Sequence, residues 1–155
     1  MKETIRDIHN WLETAKPEFG SKVKLDLSLD LVYEEANELK IAIENNDRQE
    51  IIDAVCDSIW VLNNITYYYG ITPDEISNHL YKVKKSNFSK FCQTLDDVKS
   101  TVKAYKEGTH PSKPNESIDT YYKETGNAVY PYVVLRKSDD KILKSLYYVD
   151  VADLK

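Results

Sequence analysis

The sequence predicts a mainly α protein, with a four-helix core, a fifth helix and a small antiparallel β-sheet at the C-terminal end. Three observations carry this reading. Apolar residues recur at helical spacing through the first two thirds of the 155 residues. Helix-start signals punctuate them at Asp47 and at Thr72-Pro73-Asp74-Glu75. After Gly108 the composition turns to a proline-containing loop, then to stretches rich in tyrosine and valine.

Residues 2–16 place Ile5, Ile8, Trp11 and Leu12 on one helical face, and Pro17 with Gly20 is expected to end that helix. A second helix begins in the 22–28 region and runs to about Glu44, with Leu27, Leu31, Leu39 and Ile43 in its core. Asn45 and Asn46 break it. Asp47 then caps a third helix, with Glu50 at the capping-box position. That helix carries Ile51, Ile52, Val55, Ile59 and Leu62 inward to about Tyr69, and Gly70 supplies the stop. The fourth helix starts at Thr72-Pro73 and extends through Tyr81 and Val83 to Ser86 or beyond. A shorter fifth spans Thr94 to Lys106, with Leu95, Val98 and Val102 periodic. Residues 109–117 read as a loop. Three strands follow at 119–124, 128–136 and 142–149, turning at Gly126-Asn127 and at Asp139-Asp140. Pro131 removes a ladder donor from the middle strand, so a bulge or an edge is expected there. The expected organisation is a helical domain over 1–108, with a loop and three-stranded extension over 109–155 packed on it.

Composition narrows the function. With 26 acids against 21 bases the net charge is −5, which argues against a general nucleic-acid binder. No apolar run reaches bilayer length, and the first residues lack the apolar stretch of a signal peptide. A cytoplasmic protein without a membrane partner is the expectation. Cys56 and Cys92 sit in apolar contexts without C-x-x-C spacing and read as reduced core thiols. His9, His79 and His110 make no zinc pattern.

The acids are placed unusually. Glu34 and Glu38 are four residues apart, Glu35 and Glu38 three, so all three share one helical edge. Glu50, Asp53 and Asp57 form a second stripe beside the apolar one on the third helix. Like charges at these spacings destabilise a helix. The short break at Asn45-Asn46 folds the two helices back on one another, so the stripes face each other. Taken singly, Glu34, Glu35 and Glu38 read as a solvated face and Glu50 as a capping residue. Asp53 and Asp57 resist that account, because aspartate is a poor helix former and both interrupt an apolar helix. Six facing carboxylates make sense when a divalent cation neutralises them, and oxygen-only ligands suit Mg²⁺ or Mn²⁺.

Lys82, Lys84, Lys85 and Lys90 surround Ser86-Asn87-Phe88-Ser89. Lysines at a helix C-terminus are ordinary, favoured by the helix dipole. The functional reading is a phosphate clamp, in which Lys84 and Lys90 contact phosphate oxygens and Asn87 donates its amide.

Glu34-Glu35-x-x-Glu38 followed by Glu50-x-x-Asp53 resembles the EExxE…ExxD signature of the all-α nucleoside triphosphate pyrophosphatases. That superfamily includes MazG-like proteins, dimeric dUTPases and phosphoribosyl-ATP pyrophosphohydrolases. The stretch from Glu50 to Leu62, with Ser86-Asn87-Phe88-Ser89-Lys90, is most similar to the MazG-like and phosphoribosyl-ATP pyrophosphohydrolase-like branch, although Lys84 stands where that branch carries a histidine. The resemblance covers about residues 1–92. It implies an all-α pyrophosphatase-like core and an Mg²⁺-dependent cut between the α- and β-phosphates, giving a nucleoside monophosphate and pyrophosphate. It further implies Glu35, Glu38, Glu50 and Asp53 as metal ligands, Glu34 as ligand or base, and Asp57 in the acidic lining. A homodimer or homotetramer is implied as well. Phosphoribosyl-ATP is the alternative substrate, and a non-catalytic helical binding or assembly module the alternative class. The tyrosines at 121, 122, 130, 132, 147 and 148 read as a packing face, an oligomer contact or a nucleobase platform.

Overall fold

The computed structural model describes residues 2–19 and 25–154. In chain order these form α1 (Lys2–Phe19), α2 (Leu25–Glu44), α3 (Arg48–Tyr68), α4 (Pro73–Phe88), α5 (Leu95–Lys106), β1 (Thr120–Glu124), β2 (Tyr132–Arg136) and a 3₁₀ turn at Val151–Asp153. The expected mainly α class is what is found. The chain divides into two compact units, residues 1–78 and 79–155, with the boundary inside α4.

In the first unit α1 and α2 both pack on α3. Helix α1 continues through Pro17 to Phe19 rather than ending at the proline, and Gly20 lies outside the described residues. Asn46 turns the chain with φ +53, and the Asp47 carboxylate accepts the backbone N–H groups of Gln49 (3.0 Å) and Glu50 (3.2 Å). Two donors at the start of α3 are thereby satisfied. Gly70, at φ +65, ends the stretch beyond Tyr69 in a conformation that costs glycine nothing. The Tyr67 hydroxyl donates to Glu13 Oε1 at 2.5 Å, and His9 Nε2 lies 3.1 Å from Thr66 Oγ1, so α1 is tied to the end of α3.

The buried residues of this unit are Ile5, Ile8 and Leu12 on α1, Ser28 and Ala42 on α2, and Ala54 and Val61 on α3. That corrects the expected core. Leu27, Ile43, Ile52, Val55, Ile59 and Leu62 are exposed, and so is Trp11. Helices α2 and α3 are apolar on more than one face. Apart from Val61, the buried residues of these two helices are the small Ser28, Ala42 and Ala54, and many of the large apolar side chains are left outward. Cys56 is likewise exposed rather than in the core, whereas Cys92 is buried.

In the second unit α5 packs on both strands. Thr94 caps it through a reciprocal pair, its hydroxyl accepting from the Asp97 N–H (3.1 Å) and its own N–H donating to the Asp97 carboxylate (2.9 Å). The strands are antiparallel, with Thr120 opposite Arg136 and Glu124 opposite Tyr132. Cys92, Val98 and Val134 form one core cluster with Val102 and Tyr132 against it; Tyr105, Ile118 and Leu143 form another.

Two strands form among the described residues, not three. The 142–149 segment contributes a single bridge, Leu135 to Ile142. Its later donors go elsewhere: Leu146 N–H to Thr101 Oγ1 (3.2 Å), Tyr147 N–H to Ser145 Oγ (3.1 Å) and Val149 N–H to Ser89 Oγ (2.9 Å). Leu143 N–H still reaches the Val134 carbonyl (2.9 Å), but with these later donors bound to side chains and Tyr148 N–H turned back on the Ser145 carbonyl (3.1 Å), the ladder does not continue past that point. The middle strand starts after Pro131, at Tyr132, so the proline lies outside the ladder. Its carbonyl still accepts from Thr125 N–H at 2.9 Å.

Candidate active site

Glu35 lies eleven residues before Asn46 and Asp57 eleven after it, so a hairpin of α2 and α3 brings them level. Four acids act on the Glu35 carboxyl: Asp57 and Asp53 from α3, and Glu38 and Glu34 from its own helix. Burial is the largest influence, the Asp57 charge next, and together they push the Glu35 carboxyl above the usual carboxylate range. Its Oε2 is buried and has no hydrogen-bond partner. A buried, unpaired carboxylate oxygen among four further acids is costly unless something positive meets it.

The remaining side chains of the set are exposed. Glu34, Glu38, Glu50, Asp53 and Asp57 all reach solvent, and Glu50 is not among the charges acting on Glu35. Glu50 stands in the first turn of α3, three residues beyond the Asp47 cap. The donor chemistry, oxygen only around an orphaned Glu35 oxygen, fits a hard divalent cation. Among the described residues no three carboxylates, histidines or cysteines stand close enough to hold a metal ion as they are. Closing the set on a cation therefore takes rotation of the exposed glutamates and aspartates.

The basic end of α4 belongs to the second unit. Lys90 Nζ donates to Asn87 Oδ1 at 2.6 Å, so these two residues of the expected clamp hold one another. Lys84, outside that hydrogen bond, lines a cavity of about 710 Å³ that also touches Lys85, Phe88, Phe91 and Tyr130. Phe91 carries no functional reading in the sequence. The signal available was its spacing, three residues after Phe88 beside the lysines.

The tyrosines divide among roles. Tyr132 packs against the Cys92–Val98–Val134 cluster, and the Tyr121 hydroxyl donates to Asp140 (2.6 Å). The Tyr148 hydroxyl accepts from Ser86 Oγ (3.0 Å). Tyr130 stacks on Phe88, while Tyr122 and Tyr147 are exposed.

A helical hairpin that gathers acids from both arms around one unpaired carboxylate is the architecture of an all-α nucleotide pyrophosphohydrolase. A model of the phosphoribosyl-ATP pyrophosphohydrolase family matches residues 5–84, just over half of the 155, and the chain belongs to that family. Members are hydrolases acting on acid anhydrides, and a nucleotide pyrophosphohydrolase-like activity follows for this enzyme. The match spans α3 whole and ends within α4, so the strands and α5 lie beyond it. No curated protein matches the chain, and no solved structure does. Among the described residues no helix is long and apolar enough to cross a membrane.

Proposed function

We propose that this enzyme is an Mg²⁺-dependent nucleoside triphosphate pyrophosphohydrolase, splitting the α–β phosphate bond to give a nucleoside monophosphate and pyrophosphate. The observation that carries the reading is the unpartnered, buried Glu35 oxygen in the field of Glu34, Glu38, Asp53 and Asp57. Glu35, Glu38, Glu50, Asp53 and Asp57 are the proposed holders of the cation, with Mn²⁺ as a substitute. The bound ion supplies charge neutralisation at the phosphates and an acidified attacking water.

The chain's own part follows from its acids. Glu34, exposed at the rim, takes the proton from the attacking water. The new bond joins water oxygen to phosphorus, the bridging P–O bond breaks, and pyrophosphate carries away the electron pair. Glu35 offers the cation a buried oxygen that no protein donor meets.

A second substrate has its own support. The family match favours phosphoribosyl-ATP, whose α–β bond is cut by the same chemistry. A homo-oligomer is also proposed, on the large apolar side chains that α2 and α3 leave exposed.

One assay tests the reading. Purified enzyme with Mg²⁺ is given canonical and modified nucleoside triphosphates and phosphoribosyl-ATP, and pyrophosphate is distinguished from orthophosphate. Pyrophosphate release that needs Mg²⁺ and falls by at least a hundredfold in Asp53→Asn is expected. Release unaffected by chelator, or by that substitution, refutes the assignment.

A further inference from the structure

The cavity of the second unit is built unlike a packing defect. Phe88 and Tyr130 stack with ring centroids 4.6 Å apart, and Phe91 lies 5.8 Å from Tyr130 and 6.3 Å from Phe88. Three rings thus make one wall, and none is fully buried: Phe88 is 38% exposed. Tyr147, 64% exposed, also lines the space. Phe88 and Tyr130 cover one face of each other, so a flat ring would stack on the outer side of this aromatic pair, and the cavity's volume of about 710 Å³ falls in the range of small-molecule sites.

Charge selects the ligand further. Lys84 and Lys85 both line the cavity. Lys84 has no anionic partner among the described residues, and Lys85 has only the face of the Tyr81 ring, 4.7 Å from its Nζ. The one carboxylate in the lining, Asp97, is already engaged with the backbone N–H groups of Gln93 (3.2 Å) and Thr94 (2.9 Å) at the start of α5. Two lysines therefore remain for an anion. Most of these residues follow Lys84, beyond the segment that the family shares.

We propose that this cavity is a nucleotide site in its own right, taking a planar base against the Phe88–Phe91–Tyr130 wall and a phosphate at Lys84 and Lys85. It needs no metal, since lysines and rings supply both halves of the recognition. The sequence expectation of a phosphate contact at Lys84 thus finds a place without Asn87 and Lys90, which hold each other.

Calorimetric titration of the full chain with AMP in EDTA tests this, with adenosine and ribose 5-phosphate as the two half-ligands. AMP should bind, and each half-ligand at least tenfold more weakly. Lys84→Gln and Tyr130→Leu should each weaken AMP binding tenfold or more, while Asp53→Asn changes it less than twofold. Should Tyr130→Leu fail to fold, Tyr147→Ala, on an exposed ring, serves in its place with at least a threefold loss. No AMP binding at millimolar concentration overturns the proposal, as does binding that survives Lys84→Gln. Equal affinity for AMP and ribose 5-phosphate removes the aromatic wall from it. Binding lost in Asp53→Asn assigns the nucleotide to the acidic hairpin instead. Because chelator abolishes the proposed hydrolysis but not this binding, the two proposals fail separately.

Discussion

At Glu35 one side chain carries a structural cost that the proposed cation site would relieve. Its buried Oε2 has no donor, and Asp57, Glu38, Glu34 and Asp53 all act against its ionisation. Glu35→Gln removes a charge while keeping the shape of the side chain. In chelator the variant should be the more stable protein, by about 0.5 kcal/mol, or 1–2 °C in Tm. With Mg²⁺ the order should reverse, because a cation bound to the native state stabilises only the wild type by mass action. Pyrophosphate release should fall by orders of magnitude. Calorimetric melts with and without Mg²⁺ check this, and equal Tm values under both conditions would mean that Glu35 is an ordinary solvated acid. Spacing alone could align Glu34, Glu35 and Glu38 on an edge. That Glu35 in particular has a buried oxygen without a partner is decided by how its surroundings pack, which no periodicity reports.

Helix starts were the most legible elements, because a cap is a local hydrogen-bond arrangement. Thr72 and Glu75 make the reciprocal pair that their spacing predicts, Glu75 N–H donating to Thr72 Oγ1 (3.2 Å) and Thr72 N–H to Glu75 Oε2 (2.8 Å). The third strand was illegible for the opposite reason. Its donors end on Ser89, Thr101 and Ser145, two of them more than forty residues away. The loop before the strands buries a histidine that its spacing does not announce. His110 is 2% exposed, stacks on Tyr105 of α5 with centroids 4.0 Å apart, and accepts the Ser112 N–H at Nδ1 (3.2 Å). Burial is the first cause holding its pKa below the ordinary 6.5, against the opposing pull of the Ser145 and Lys144 carbonyls; the Lys144 charge adds to the lowering. The folded state therefore binds fewer protons than the unfolded chain once pH drops to about 6.5. Stability should be full above that pH and fall as pH descends through the lowered folded value. His9, also lowered by burial, adds a second contribution of the same sign. In denaturant titrations between pH 8 and 5, His110→Phe keeps a ring on Tyr105 and should lose about one proton's share of the slope. An unchanged slope would show that His110 protonates freely in the native protein.

For the whole molecule, the residues that periodicity assigns to the core of α3 are the ones left uncovered. Ile52, Val55, Ile59 and Leu62 repeat at i, i+3, i+7 and i+10, a single helical stripe, and each is 41–49% exposed. The pattern was legible; which surface would cover it was not, because one chain supplies no partner for it. Trp60, 37% exposed, and Ile41, 47% exposed, enlarge the apolar surface on the same hairpin. A lone soluble chain seldom leaves such a contiguous stripe in water, and a second copy is the cover that the proposed oligomer provides. Covering the half-exposed part of each side chain is worth roughly 1 kcal/mol, so several together can outweigh part of the cost of association. Val55→Glu places a charge in the middle of the stripe. In the monomer the substitution meets solvent, and helicity and Tm of the isolated chain should hardly change. In an assembly it buries an unpaired carboxylate, costing about 3 kcal/mol and weakening association roughly a hundredfold. Sedimentation equilibrium should show wild type as a dimer or tetramer at micromolar concentration and the variant as a monomer with unchanged circular dichroism. A wild type that sediments as a monomer throughout would mean that α3 meets water with this stripe bare. The stripe borders Asp53 and Asp57, so the same substitution should also lower pyrophosphate release at concentrations where wild type is assembled, and the loss should shrink as protein concentration rises.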